Sequence, residues 1–376
     1  MALKTILHLS DLPNLDHVPE IYSTCYSQGL DLNRASSFRI PKFMVIGHRG
    51  HGMNILQSSD SRMKAIKENS ILSFNSAAKF PLDFIEFDVQ VTIHSFLFFL
   101  GSSFIYCVVL QGTICEKKVT ELCLAEFLCY GPQKETGKEG KCLYRKTKDG
   151  KFVKWNVETD DSLCTLQDAF QKVEPSLGFN IELKFDDFAV YQQDHLLHIL
   201  QVILQVVFEF ARDRPIIFST FQPDAAQLVR KLQNNYPVYF LTEGGASIYY
   251  DVRRNSLGEA MKVCLEGGLQ GIVSEIKGVF KDPGAVPKIK DSNLSLLTYG
   301  KLNNVPEAVH MQYLMGIDGV IVDFVEEISQ TVDDMIKPAK EMTTEGKGES
   351  EANSKLQFSQ KELSFLLKLI PALIQF

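Results

Sequence analysis

The chain has 376 residues, 45% of them apolar, and a formal net charge of −7. That is enough apolar material for a large core, in one domain or two, and the lack of any basic arm or stripe argues against a nucleic-acid partner. The eight cysteines are scattered, with no CxxC pair and no tight Cys/His spacing, which argues against structural zinc or a disulfide scaffold and fits a reducing compartment.

Residues 1–40 read as an N-terminal extension. The stretch "MALKTILHLSDLPNLDHVPE" has no long apolar run and carries acids early, unlike a secretory signal or an ordinary transit peptide. An intracellular location is expected, cytoplasmic with the plastid as alternative. From residue 41 to about 330, short apolar runs alternate with helix-like segments. The runs are "FMVIGHRG" (43–50), "FIEFDVQV" (84–91), "GFNIELKF" (178–185), "PIIFSTF" (215–221), "VYFLTEGG" (238–245), "GIVSE" (271–275), "LSLLTYG" (294–300) and "GVIVDFV" (319–325). Helices are expected over 68–80, 195–213, 223–233, 256–268 and 304–316. Pro223 suits a first helical turn, and Ser256 with Glu259 resembles a capping box. Strand–helix alternation of this kind predicts a parallel sheet with crossover helices, and eight units fit a closed (β/α)8 TIM barrel. An open doubly wound sheet is the alternative, but "GHRGHGMN" is not the glycine-rich first turn it needs.

The interval between residues 91 and 178 is far longer than the others, so a small insertion is expected after the second strand, at about 93–165. Its charged stretch "GPQKETGKEGKCLYRKTKDGK" reads as solvated surface. Residues 337–358 are polar and read as a flexible linker, and 359–376 as an amphipathic helix with Ser359 and Glu362 placed as a capping box. That helix is expected to dock on the barrel or to contact a partner or membrane surface.

Side chains alternate faces along a strand, so Glu86 and Asp88 share one face of "FIEFDVQV", and Glu182 and Lys184 one face of "NIELKF". Taken alone, an ExD pair also suits an edge strand facing water. In a barrel the apolar faces pack outward against helices, leaving these charges inside, where burying them unpaired is prohibitive. A cation or ligand is therefore implied, and an oxygen-only set suits Mg²⁺ or Ca²⁺, Mg²⁺ preferred, over zinc or copper. At the end of the first strand, His48 is a candidate general acid or base and Arg49 offers a fork to phosphate, although a histidine there is often merely hydrogen-bonded. Together these residues suggest phosphoryl chemistry.

The order "GHRG", "KENSILSF", "FIEFDVQVT", "IELK", "GVIVD" resembles the glycerophosphodiester phosphodiesterase family, and "HGMN", "YYDVRRNSL", "GLQGIVSE" and "LTYGKLNN" resemble its plant-type members. The resemblance covers roughly residues 40–330. It implies a TIM barrel and the metal-dependent hydrolysis of glycerophosphodiesters, such as glycerophosphocholine, to glycerol 3-phosphate and an alcohol. It also implies metal ligation by Glu86, Asp88 and Glu182, catalysis by His48 with Arg49, and substrate binding by Arg49, Lys184 and Glu68, the last in a supporting role. The chain departs from the pattern in one place. The family's second catalytic histidine belongs to a His-Asp pair, and here Gly101 and Ser102 stand there, within the apolar "IHSFLFFLGSSF". Three readings follow: His94 or His51 substitutes, turnover is reduced, or the chain is an inactive binder arising from a splice or gene-model difference. Residues 95–110 are shorter than the ~20 needed to span a bilayer and are broken by glycine and serines, so a buried β-hairpin is expected instead of a membrane span.

Overall fold

A computed structural model describes residues 42–336 apart from 93–96, 100–103, 109–113, 134–136, 148 and 188. The strands are β1 (Met44–Gly47), β2 (Phe84–Val91), β3 (Leu97–Phe99), β4 (Phe104–Val108), β5 (Ile114–Lys118), β6 (Tyr144–Lys146) and β7 (Phe152–Lys154), followed by β8 (Gly178–Leu183), β9 (Ile216–Thr220), β10 (Val238–Thr242), β11 (Gly271–Glu275), β12 (Ser295–Tyr299) and β13 (Gly319–Val322). The parallel strands run β1-β13-β12-β11-β10-β9-β8-β2, and pairing of β2 with β1 closes the ring. This is the expected eight-stranded TIM barrel.

The alternation of side chains sorts two cores. Outward-facing Ile85, Phe87 and Val89 of β2 join Phe179 and Ile181 of β8 beneath the helices, and the Phe87 and Phe179 rings meet edge-on at 5.0 Å. Inward-facing Met44, Ile46, Phe84, Ile217, Tyr239 and Leu297 plug the lumen. The lumen is thus a packed floor, and the charged residues lie above it toward the strand C-termini. The predicted helices form as 71–77, 193–210, 223–232, 257–267 and 306–315. Ser256 Oγ accepts from Glu259 N at 3.1 Å, and left-handed Gly268 ends that helix.

Helices also form over Leu124–Leu128, Leu166–Lys172, Ile276–Lys281, Ala285–Asp291 and Val325–Ile336, which the apolar periodicity did not announce. Several span only about two turns, too short for a repeating stripe to develop. Among the described residues, no helix is long and apolar enough to cross a membrane.

The segment after β2 holds two corrections. The apolar stretch is not a hairpin of its own: β3 folds back antiparallel on β2, whereas β4 enters a separate antiparallel sheet of order β5-β4-β6-β7. That sheet covers a small core containing Ile105, Cys107, Phe127, Tyr130, Leu143 and Trp155. The charged stretch read as solvated surface contributes Leu143, only 4% exposed, and β6 to it. Leu143 lies just ahead of β6 and is a lone apolar residue among polar neighbours, so no repeating pattern marks it. The N-terminal extension, the linker, the terminal amphipathic helix, His94, Gly101 and Ser102 lie outside the described residues.

Candidate active site

The barrel gathers the site at the C-terminal ends of β1, β2, β8 and β13. Parallel pairing sets Asp88 directly beside Glu182 and Glu86 beside Asn180, so the three carboxylates converge in the lumen. One oxygen from each of Glu86, Asp88 and Glu182 lies within 4.8 Å of the others, and all three residues are buried. The structure therefore brings the predicted metal ligands together.

Lys184 follows β8 and sets its Nζ 2.9 Å from Asp88 Oδ1 and 2.7 Å from Glu182 Oε1. Burial opposes its charge, but those carboxylates outweigh burial and hold it protonated above the usual lysine range. Arg49 adopts φ 51, an uncommon value for a side-chain-bearing residue. The turn is held because Arg49 N donates to Glu86 Oε2 at 3.0 Å, while Arg49 O accepts from Asn69 N at 3.1 Å and Ser73 Oγ at 3.0 Å. Its guanidinium lies between two acids, with Nη1 donating to Glu68 Oε1 at 2.7 Å and Nε 3.0 Å from Asp88 Oδ2. Asp88 is depressed well below the carboxylate range; burial alone would raise it, and Arg49 and Lys184 prevail.

Glu86 behaves oppositely. Burial first, then the charge of Asp88, pushes its carboxyl up to about 8 despite His48, with Glu182 adding to the rise. Glu86 Oε1 has no hydrogen-bond partner, and Asp88 Oδ1 and Glu182 Oε1 meet only the Lys184 ammonium, without hydrogen-bond geometry. The unpartnered buried Glu86 Oε1, beside two carboxylate oxygens that meet only an ammonium, fits a hard divalent cation.

His48 stands at the rim. Its Nδ1 lies 2.7 Å from Asp323 Oδ1 and its Nε2 3.8 Å from Glu86 Oε2. Burial lowers the imidazole pKa, but Asp323 and then Glu86 carry it up to about 9. Asp323 is itself fixed, accepting from Met53 N at 2.9 Å and from Asn304 Nδ2 at 3.0 Å. The aspartate thus sets the ring's tautomer and leaves Nε2 for chemistry. Asp323 closes the quoted "GVIVD" motif, yet its role rests on the pairing of β13 with β1, which sequence spacing does not reveal. His51 is not drawn into this cluster: its ring stacks on Phe80 at 5.6 Å.

Glu68 is buried, its Oε1 shared by Arg49 and Arg145 and its Oε2 accepting from Asn54 N. Burial would raise its carboxyl, but Arg145 and then Arg49 hold it below the usual range. Arg145 was missed in the sequence because it sits in the charged stretch of the insertion. Across the barrel mouth lie Glu243, Glu275 and Tyr299, whose hydroxyl is held well above 10 by burial and by those carboxylates with Glu182.

The model of the glycerophosphoryl diester phosphodiesterase family matches residues 48–327, a span that begins at His48 and includes every residue just described. The chain belongs to that family. Glycerophosphodiester phosphodiesterase GDPD2 of Arabidopsis thaliana is 61% identical over 379 residues, covering 100% of both chains. The chloroplastic glycerophosphodiester phosphodiesterase GDPD1 of the same plant is 61% identical over 376 residues, again covering 100% of both. Among solved structures, a phosphodiesterase of Oleispira antarctica in complex with the product sn-glycerol-3-phosphate superposes with a TM-score of 0.54 at 17% identity, covering 77% of this chain and 96% of that one. At that identity the likeness concerns the fold. The plant-type resemblance read from the motifs is thereby established, and the chain is a glycerophosphodiester phosphodiesterase of this family.

Proposed function

We propose that the chain hydrolyses glycerophosphodiesters such as glycerophosphocholine to glycerol 3-phosphate and an alcohol, in glycerophospholipid and phosphate metabolism, with a divalent cation, Mg²⁺ in preference to Ca²⁺. The observation that carries the reading is the set of three buried, converging carboxylates facing Arg49, Lys184 and His48, with Glu86 Oε1 left without a partner. Glu86, Asp88 and Glu182 would hold the cation, which when bound supplies Lewis-acid polarisation of a phosphoryl oxygen.

The chain's own groups do the rest. Arg49 and Lys184 bind and orient the phosphate and balance its charge. Asp323 holds His48 Nδ1; a water oxygen bonds to phosphorus and releases a proton to solvent while the bond from phosphorus to the alcohol oxygen breaks and that oxygen takes the proton of His48 Nε2. Glu68 serves the substrate indirectly, by fixing the arginine fork. A cytoplasmic location is the reading carried over from the N-terminal sequence, with the plastid as alternative. The N-terminal extension, the barrel over 41–330 with its insertion at 93–165, the linker and a terminal helix touching a partner or membrane surface complete the proposed organisation.

A second reading is favoured by Gly101 and Ser102, which by the motif resemblance stand where the family carries its second acid or base and supply no imidazole. Loss of one such group costs ~10²–10⁴-fold, so turnover is slow, or the chain binds metal and diester without turnover. Glycerol 3-phosphate release from glycerophosphocholine, assayed with Mg²⁺, Ca²⁺ and chelator beside Glu86→Ala, decides. Metal-dependent release abolished in the variant supports hydrolysis. No release from folded, metal-binding protein leaves the inactive binder.

A further inference from the structure

Two arginines from distant parts of the chain meet on one buried carboxylate. Arg49, in the turn after β1, donates Nη1 to Glu68 Oε1 at 2.7 Å, and Arg145, in β6 of the insertion, donates Nη2 to the same oxygen. Arg145 is itself fixed. Its Nη1 donates to Asn54 O at 2.8 Å, and its guanidinium stacks 3.7 Å from the centroid of the Trp155 ring. Asn54 completes the ring of contacts, its Oδ1 accepting from Glu68 N at 3.1 Å and from Trp155 Nε1 at 3.0 Å.

Arg49, by contrast, is committed twice, to Glu68 through Nη1 and to Asp88 through Nε. The Nη1 bond to Glu68 fixes the direction in which the fork faces, while Nε, which forms no hydrogen bond with Asp88, adds only an ion pair. Turning toward a substrate would leave Glu68, 1% exposed, with one fewer counter-charge, and an unpaired buried carboxylate is strongly disfavoured. Arg145 removes that obstacle, because it stays on Glu68 whichever way Arg49 faces.

We propose that Arg145 is a positioning residue for phosphate recognition: by neutralising Glu68 from the insertion, it frees Arg49 to turn from Glu68 to the phosphate of the diester. The inference rests on the reading that Arg49 binds the phosphate. It also gives the insertion a task at the site. The small sheet carries the standing counter-charge that makes the barrel's own arginine available.

Binding of sn-glycerol 3-phosphate to the full-length chain at fixed Mg²⁺, followed by calorimetry, tests this without requiring turnover. Arg145→Ala should weaken binding by about tenfold or more, and adding Glu68→Gln should bring affinity back to within about threefold of Glu68→Gln alone, since no carboxylate is left to strand. A merely structural role for Arg145 would give weak binding in both the single and the double variant, and that result overturns the proposal. So does Arg145→Ala binding like the unsubstituted chain while Arg49→Ala fails to bind. Arg49→Ala binding normally would remove the phosphate reading and the inference with it. Should Arg145→Ala not fold, Arg145→Lys keeps the charge but loses the fork. It should bind a few-fold more weakly and be restored by Glu68→Gln, and failure of that restoration counts against the proposal.

Discussion

Asp323 Oδ1 lies 2.7 Å from His48 Nδ1, and this one contact links the end of the last barrel strand to the end of the first, beside the converging carboxylates. Asp323 is depressed to about 2: burial works against its charge, but His48 outweighs burial, with Met53 N and Asn304 adding hydrogen bonds. His48 is raised to about 9 by the same partnership.

The sign of the pH dependence follows from those shifts. A depressed carboxylate contributes stability that is present above its unfolded value and lost as pH falls through about 2, and a raised histidine contributes stability present below its unfolded value and lost as pH rises through about 9. Metal-free protein should therefore be most stable between roughly pH 4 and 6.5 as far as this pair decides. Asp323→Asn should cost about 2 kcal/mol near pH 6 and much less near pH 10. Urea unfolding at the two pH values checks this; an equal loss at both would show that charge is not the cause.

Cation binding should release a proton. In the metal-free chain Glu86 is raised to about 8, so at neutral pH it is largely protonated and must ionise to act as a ligand. Apparent Mg²⁺ affinity should rise with pH, by up to about tenfold per unit, and level off above about 8. Calorimetry in two buffers of different ionisation enthalpy measures the released proton, and Glu86→Gln should abolish both the release and the slope.

Gly52→Ala should destabilise the turn after β1. Gly52 has φ +111, and a Cβ there would sit 2.3 Å from Asp323 O, the backbone of the residue that orients His48. The loss should be about 1–3 kcal/mol. Gly137→Ala is the control, with φ +85 but open space around it, and should cost no more than about 1 kcal/mol. Equal melting-temperature shifts would show that the close approach is relieved elsewhere.

Replacing Gly101→His together with Ser102→Asp should raise kcat by ~10²–10⁴-fold if the segment lies over the site. Phe99 pairs with Val89, the neighbour of Asp88, so the described chain comes back alongside the strand that carries Glu86 and Asp88 just before this pair. Steady-state assay of glycerol 3-phosphate release reads the gain, and an unchanged kcat would show that the apolar segment has shifted the position as well as the side chain.

The barrel and its acidic centre were legible because both rest on period-two alternation. Glu86, Asp88 and Glu182 interrupt apolar strands on one face, and no other placement buries their neighbours. Asp323 and Arg145 were not legible as parts of the site. Asp323 reaches His48 only through the register of Gly47 with Val322, and Arg145 reaches Glu68 only once an insertion with its own core has folded back. Such contacts depend on chain segments far apart in sequence, about which local pattern is silent. The Leu166–Lys172 helix was a different omission, since its capping box at Thr165 and Asp168 was there to be read.

The ring of strands closes across one of its two thinnest backbone pairings, the other joining β12 to β13. β2 meets β8 over six residue pairs but meets β1 over only two, Ile46 with Phe84 and Gly47 with Ile85. Directly above that seam, Arg49 N donates to Glu86 and Arg49 Nε reaches Asp88; below it, Lys42 Nζ lies 2.6 Å from Asp83 Oδ1. The groups proposed to recognise the substrate therefore also act as the clasp of the barrel. If Glu86 and Asp88 take up a cation as proposed, the contacts across that seam belong to the loaded site, and slower amide exchange along Met44–Gly47 is the expected sign of occupancy.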